Sequence, residues 1–333
     1  MRFAIIGATG NVGRKTIDIL EKSKLDIERL HLVASKNSSG KKIKFKGKDL
    51  TVVTLDNYDF GKADITFFAA GSSIAEKYAK KASQKTIVID NSKFFRMDKD
   101  VPLIVPEVNS EDIKKHKNII ANPNCSTIQM VLALNPLHKK FNIKRVVVST
   151  YQAVSGAGKA AIDELMSQTK DFLEKKKIKS KNFTKQIAFN LIPHIDEFVE
   201  EGYTKEEWKM EKETKKILDP KIKLTATCVR VPVMVSHSES INVEFEKEFD
   251  IEKVKDILNA ADSCKVIDER KNGGYVTPVE AENSHLTFIS RIRKDTSNDK
   301  AINMWVVSDN LLKGAALNTV QIAEKLLDNY YGK

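Results

Sequence analysis

Residues 2–13, RFAIIGATGNVG, constrain this chain more than any other stretch. An apolar run ends in three glycines, Gly7, Gly10 and Gly13, and a helical pattern opens at Asn11. A strand that turns on glycines into a helix can take a pyrophosphate. The glycines permit the tight turn, the close approach of backbone to anion and the packing of helix on strand. Free N–H groups at the helix start then face the anion. Gly7, Gly10 and Gly13 are therefore the first candidate cofactor contacts.

The sequence that follows sustains this reading. Residues 2–6, 29–34, 64–69 and 86–90 read as strands, and 11–23 and 73–83 as helices between them. Strand and helix alternating at this spacing predict a parallel sheet with right-handed crossovers. Residues 41–55 differ, with apolar and lysine residues alternating around Gly47, and predict an antiparallel hairpin inserted in the sheet. At the end of the second strand an NAD site would place an acid for the ribose hydroxyls. Here Ser35, Lys36, Asn37 and Ser38 stand instead. Hydroxyls, an amide and a lysine suit a 2′-phosphate, so NADP is favoured and use of NAD stays open.

Beyond a strand at 118–121 the pattern changes. Residues 126–138 and 159–177 read as helices, 145–150 as a strand, and 224–231, 241–245, 286–293 and 301–307 as a mostly antiparallel sheet. Residues 251–261 and 310–327 read as further helices.

Charge is the unusual feature of the composition. The chain has 56 basic and 45 acidic residues, a net charge of +11. That balance would permit a nucleic-acid partner. Only nine of the bases are arginine, the residue that reads base edges best. Most lysines lie among acids, so a solvated surface is the expectation. No apolar run approaches the roughly 18 residues of a membrane span, and the glycine at position 7 interrupts any signal-peptide core. Three cysteines, far apart, predict no disulfide framework and suit a reducing cytoplasm.

The cysteines are not alike. Cys228 and Cys264 sit in apolar strands and read as small core residues. Cys125 follows Ala121-Asn122-Pro123-Asn124, at the end of a strand and the start of a helix. Helix N–H groups there stabilise a thiolate, which is the nucleophilic form. A nucleophilic cysteine beside a nicotinamide suggests thioester chemistry: the sulfur holds an acyl group while hydride is exchanged. That chemistry needs a proton-transferring partner. Of six histidines, His237 is the best placed, in Val235-Ser236-His237-Ser238, where an apolar strand turns polar.

Seven segments in order then resemble the aspartate-β-semialdehyde dehydrogenase family over essentially the whole chain. They are GATGNVG at 7–13, NSKFFRMDKDVPLIVPEVN at 91–109, NPNCST at 122–127, QAVSGAG at 152–158, EEWKMEKETKKIL at 206–218, CVRVPVMVSHS at 228–238 and DNLLKGAALN at 309–318. The resemblance implies an α/β fold. A Rossmann-type dinucleotide-binding domain (1–124 plus 309–333) joins an α+β catalytic and dimerisation domain (125–308) with a mainly antiparallel sheet. The C-terminal helix, opened by Asn310, returns to the first domain.

It also implies roles. Cys125 carries the acyl thioester, Gln152 orients the substrate, and His237 is the acid/base, with a pKa near neutrality. Arg230 holds the α-carboxylate as a bidentate fork; on a continuous strand it and His237, seven residues on, would point to opposite faces, so Pro232 or a turn is expected to intervene. Glu206 binds the α-amino group in preference to Glu207. Lys209 and Arg96 serve the phosphate. Without the resemblance, Glu206 and Lys209, three apart on a helix, would read as a surface ion pair. Thr9, Asn11, Val12, Ser38, Ser155, Gly156 and Asn310 join the cofactor contacts, while Asn37 stands where many members carry arginine.

The implied reaction is reductive dephosphorylation of L-aspartyl-4-phosphate by NADPH, on the route to lysine, threonine and methionine. The implied assembly is a homodimer, with Met304, Trp305 and Val307 as interface candidates, in the cytoplasm and without a metal. The competing readings are a reductase of another acyl phosphate, such as N-acetyl-glutamyl phosphate, and a basic nucleic-acid-binding protein.

Overall fold

A computed structural model describes residues 1–331, with side chains to residue 328. The chain divides into two compact units, residues 1–124 with the segment from Ala315 onward, and Cys125–Gly314.

The first unit is built on strands β1 (Arg2–Ile6), β2 (Arg29–Ala34), β3 (Lys42–Phe45), β4 (Lys48–Thr51), β5 (Val53–Thr54), β6 (Ile65–Phe68), β7 (Ile87–Asp90) and β8 (Ile119–Ala121). Helices α1 (Asn11–Lys22), α2 (Ser72–Ala82) and α3 (Pro106–Asn109) lie between them. Six strands form a wholly parallel sheet in the order β5-β2-β1-β6-β7-β8. The inner strands β1 and β6 and the end strand β8 are buried almost throughout, as a sheet covered on both faces requires. The region 41–55 divides. β3 and β4 form their own two-stranded hairpin, while β5 joins the main sheet parallel to β2. The buried Val52 separates the two roles, with its backbone tied to Gly40 and Lys41.

The second unit comprises α4 (Cys125–Phe141), β9 (Ile143–Gln152), α5 (Lys159–Leu173), α6 (Lys205–Ile217), β10 (Lys223–Arg230), β11 (His237–Phe245), α7 (Ile251–Asn259), β12 (Cys264–Val266), α8 (Pro278–Ala281), β13 (Thr287–Lys294) and β14 (Ala301–Ser308). Its sheet runs β10-β9-β11-β14-β13-β12. The three inner pairings are antiparallel and the two outer ones parallel. The α5 helix stops at Leu173, short of 177, because Lys175 adopts φ 55°. α4 packs on β9, β11, β13 and β14, and α6 packs on β10 and α4.

The opposite face of this sheet keeps Val147, Ser149, Tyr151, Ser240, Asn242, Asn303 and Trp305 partly or fully exposed. Of the three interface candidates Trp305 and Val307 lie on that face, and of these only Trp305 keeps any exposure. Met304 is buried and pairs with buried Ile241, and Val307 packs with Val276, Ala281 and Phe288.

The last helix, α9 (Leu317–Tyr331), begins later than position 310. A π-helical turn, Leu312–Ala316, precedes it. Asp309, not Asn310, caps this segment, because its Oδ1 accepts from the backbone N–H groups of Leu311 and Leu312. Within its unit α9 packs on α1, α3 and β7. Asn318 donates to Asn122 Oδ1 and Thr319 to Asn91 Oδ1, fixing the ends of the last two parallel strands.

Candidate active site

In the first unit the glycine turn is shaped by what it excludes. Gly7 has φ 89°, and a Cβ there would lie 2.6 Å from the Ala69 carbonyl oxygen. A Cβ on Gly13 would lie 2.2 Å from the Gly7 oxygen, so α1 packs directly on the turn. Gly10 is the N-cap of α1 and supplies no side-chain acceptor, leaving the first helical N–H groups available to an anion.

A cleft of about 480 Å³ borders this turn, lined by Gly7, Thr9, Gly10, Ser35 and Lys36, with Lys77 and Tyr78 across it. Thr9 and Ser38 share a hydrogen bond of 3.2 Å. The buried Asn11 Nδ2 has no partner. Asn37 is exposed in a short turn, Lys36–Ser38, and does not line the cleft, and neither does Val12. A dinucleotide phosphate fits this donor set, and Lys77 is a cation that the reading of the sequence missed.

Arg96 is buried in the loop after β7. Its Nε donates to the Asn122 carbonyl at 2.9 Å and an Nη donates to the Asn91 carbonyl at 3.1 Å.

The second unit arranges its candidates as one rung across the sheet. Arg230 is paired with Gln152 across β10 and β9, and His237 with Ser308 across β11 and β14. The register Ser238↔Tyr151 sets His237 beside Gln152. Arg230 ends β10 and His237 begins β11, so the seven-residue separation is a turn, as its spacing predicts. Ser236 takes φ 76° within it. Both side chains converge on Gly156. A Cβ there would meet Arg230 Nη1 and His237 Nε2, each at 3.1 Å.

Hydrogen bonds lock the rung. Thr150 Oγ1 donates to Gln152 Oε1 at 3.0 Å, and Gln152 Nε2 donates to Glu206 Oε1 at 3.1 Å. Lys209 Nζ bonds Glu206 Oε2 at 2.7 Å and Asp196 Oδ2 at 2.8 Å. Burial works against the Lys209 ammonium, but the two carboxylates outweigh it and hold its pKa above the ordinary value. Arg230 is 6% exposed, donates to the Ala153 carbonyl at 2.7 Å, and loses some basicity to burial. Glu207 points elsewhere. It closes a capping box with Thr204 and accepts from the Cys228 N–H, so both its oxygens serve the fold.

His237 departs from expectation. Its Nδ1 accepts the Ala153 backbone N–H at 3.0 Å, which puts the proton of the neutral ring on Nε2. Complete burial, then the neighbouring Arg230 cation, pushes its pKa down to about 3 rather than near neutrality. Nε2 has no partner and faces Gly156. Asn310 braces this side. Its Nδ2 donates to Ser155 Oγ and its Oδ1 accepts from the Ser236 N–H, joining the Val154–Ala157 turn to the residue before His237.

Cys125 is the first residue of α4, a 17-residue helix, and is partly exposed, whereas Cys228 and Cys264 are buried. Gly314 lies against it, where a Cβ would come within 2.8 Å of Cys125 Cβ. This steric role inside the π-helical turn left no signal in the sequence beyond a glycine in a helical pattern. No group of metal-ligating side chains occurs among the described residues. Nor is any described helix long and apolar enough to cross a membrane.

The chain is similar to known proteins over nearly its whole length. The NAD binding domain of semialdehyde dehydrogenases matches residues 2–116, and their dimerisation domain matches 134–313. Aspartate-semialdehyde dehydrogenase of Aquifex aeolicus is 53% identical over 332 residues, 98% of each chain. The Bacillus subtilis enzyme of the same name is 46% identical, covering 98% of this chain and 97% of its own. The crystal structure of aspartate semialdehyde dehydrogenase II from Vibrio cholerae superposes with a TM-score of 0.97 at 45% identity over 99% of both chains. The enzyme from Candida albicans, solved with NADP, gives 0.74 at 28% identity over 98% of both. The chain thus belongs to the aspartate-semialdehyde dehydrogenase family.

Proposed function

We propose that this chain reduces L-aspartyl-4-phosphate to L-aspartate 4-semialdehyde and phosphate with NADPH, through a thioester on Cys125. The observation that carries the reading is the rung Arg230–Gln152–His237 with Glu206 joined to it. It offers a guanidinium for an α-carboxylate and an acid for an α-ammonium. A V. cholerae relative solved in complex with ASA, 44% identical over 99% of this chain, supports the same substrate.

The Cys125 thiolate attacks the acyl carbon and phosphate leaves, giving the thioester. The nicotinamide supplies a hydride when bound. The resulting oxyanion accepts a hydrogen bond from His237 Nε2–H, then collapses to the aldehyde and returns the thiolate. Anionic substrate beside Arg230 offsets the cation that depresses the imidazole, so His237 gains basicity when the site is loaded. Gln152 holds the substrate against Glu206. Lys209 in this unit and Arg96 in its own are the cations proposed for the phosphate. Glu206, already joined to Gln152 and Lys209, favours a free ammonium over an acylated amine, which argues against N-acetyl-glutamyl phosphate.

Gly7, Thr9, Gly10, Ser35 and Lys36 are the proposed NADP contacts, with residues 1–124 and the C-terminal helix as the nucleotide domain. The matched dimerisation domain and the open sheet face around Tyr151 and Trp305, whose rings lie 5.5 Å apart, support a homodimer. A cytoplasmic location accords with the absence of disulfides among the three cysteines.

The test is phosphate-dependent reduction of NADP, then of NAD, by aspartate semialdehyde. C125S should abolish it by about 10⁴-fold or more; full turnover in that variant would refute the covalent path.

A further inference from the structure

Two residues deeper along the same sheet face lies a second rung, Cys228–Thr150–Glu239–Val306. The rung beneath it, Ala226–Val148–Ile241–Met304, is entirely apolar. Glu239 is therefore a carboxyl group set at the boundary between core and catalytic side chains. It is fully buried, and neither oxygen has a hydrogen-bond partner within 3.5 Å. Its polar neighbour is the Gln129 side chain on α4. Gln129 is also buried, and neither its Oε1 nor its Nε2 has a partner. Cys125 and Gln129 stand four apart on one helix, hence on one face.

Four buried polar atoms without partners are costly unless they satisfy each other. A carboxylate could take only the amide N–H and would set its other charge near the amide oxygen. A neutral acid completes the match: its O–H donates to Gln129 Oε1 and its carbonyl accepts from Nε2–H. Burial favours that form, holding the Glu239 carboxyl well above the usual carboxylate range.

We propose that Glu239 and Gln129 form a two-bond acid–amide pair across the seam between α4 and β11, and that this pair positions Cys125 relative to His237. Glu239 sits two residues from His237 on one strand, and Gln129 one turn from Cys125 on one helix, so the pair ties the two reactive groups at their supports. Glu239 touches no reacting atom on this reading and is a positioning residue. The proposal rests on the Cys125 mechanism above.

The experiment therefore measures two things: turnover, and the rate at which iodoacetamide alkylates Cys125. The alkylation rate reads the placement of the thiol whatever the substrate, and the other two cysteines are buried. E239L and Q129L should each lower kcat by about 10- to 100-fold, change substrate KM little, and alter the alkylation rate. The swapped pair Q129E/E239Q rebuilds acid against amide and should recover most of both losses. E239Q, which leaves amide against amide, should recover more than E239D, which shortens the reach. This second comparison serves if the leucine variants do not fold. A swap as impaired as the single variants, or an E239Q as impaired as E239L, overturns the pair. Normal alkylation effects with no aspartate-semialdehyde activity in the unaltered enzyme would instead refute the proposed function and leave the pair standing.

Discussion

On the proposed reading, the two units bind an anion by opposite means. The first works by leaving side chains out. At Gly7 and Gly13 any Cβ would strike a carbonyl oxygen, so the backbone itself forms the cradle. The second crowds buried side chains onto one rung and settles their charges internally, with Glu206 and Asp196 holding Lys209. Backbone donors are fixed by the fold and indifferent to pH. Buried side chains are selective and reactive, but each depends on its neighbours. Substitutions in the second unit should therefore cost more than substitutions of single cations in the first.

After C125S, the largest effect is expected at His237. H237N should lower kcat by about 10²- to 10⁴-fold while leaving affinity for NADPH intact. A large loss of cofactor affinity instead would make His237 a structural residue. The same variant tests the acid limb of stability. A folded-state value of about 3 against 6.5 means that the unfolded chain takes up a proton the fold refuses. The contribution is present above pH 6.5 and is lost as pH falls toward 3. Chemical denaturation from pH 7 to 4 should weaken the unaltered protein more than H237N.

Next comes G156A, where a methyl group would press on Arg230 and His237 together. A displacement of that kind should cost about 10²-fold in kcat, with denaturation midpoint nearly unchanged. An active G156A would show that the rung tolerates repacking.

Glu206 and Glu207 sharpen the contrast within one helix. E206Q should lower kcat/KM by about 10- to 100-fold through loss of a charged hydrogen bond. E207A should instead lose about 1–3 kcal/mol of stability, with kinetics kept, because its oxygens cap α6 and accept from Cys228. Reversed results would exchange their roles. The smallest effect belongs to the first unit. K36A should raise KM for NADPH by about 5-fold or less and leave NADH unaffected, as an exposed ion pair contributes at most about 1 kcal/mol.

Much of this was legible in the sequence because it is local. The glycine turn, the strands around it and the placing of Cys125 at a helix start are each written within a few adjacent residues. Glu206 could even be told from Glu207 locally, since Thr204-Lys205-Glu206-Glu207 spells a capping box. What stayed hidden depends on register. Nothing near Glu239 reveals that it will face Gln129, because the partners are brought together by a helix packing on a sheet. Gly314 reads as an ordinary helical glycine until it is placed against Cys125. His237 could be found from its segment, but not its depressed basicity, which comes from burial and from Arg230 seven residues away. The start of the last helix was misplaced because Asp309 caps a π-helical turn, and that turn delays α9 to Leu317.

The depth of the catalytic rung carries a further consequence. Gln152 and His237 are 1% and 0% exposed, and Glu206 is 5% exposed. An activated ester of sulfur is open to hydrolysis, and every molecule lost that way would discharge an activated carboxyl group without yielding aldehyde. The thioester would sit on the partly exposed Cys125, so the buried rung beside it is what shields one side of the intermediate from water while it awaits its reductant. Loosening the rung should thus show itself first as leakage: free aspartate formed in proportion to acyl phosphate consumed, with cofactor spared.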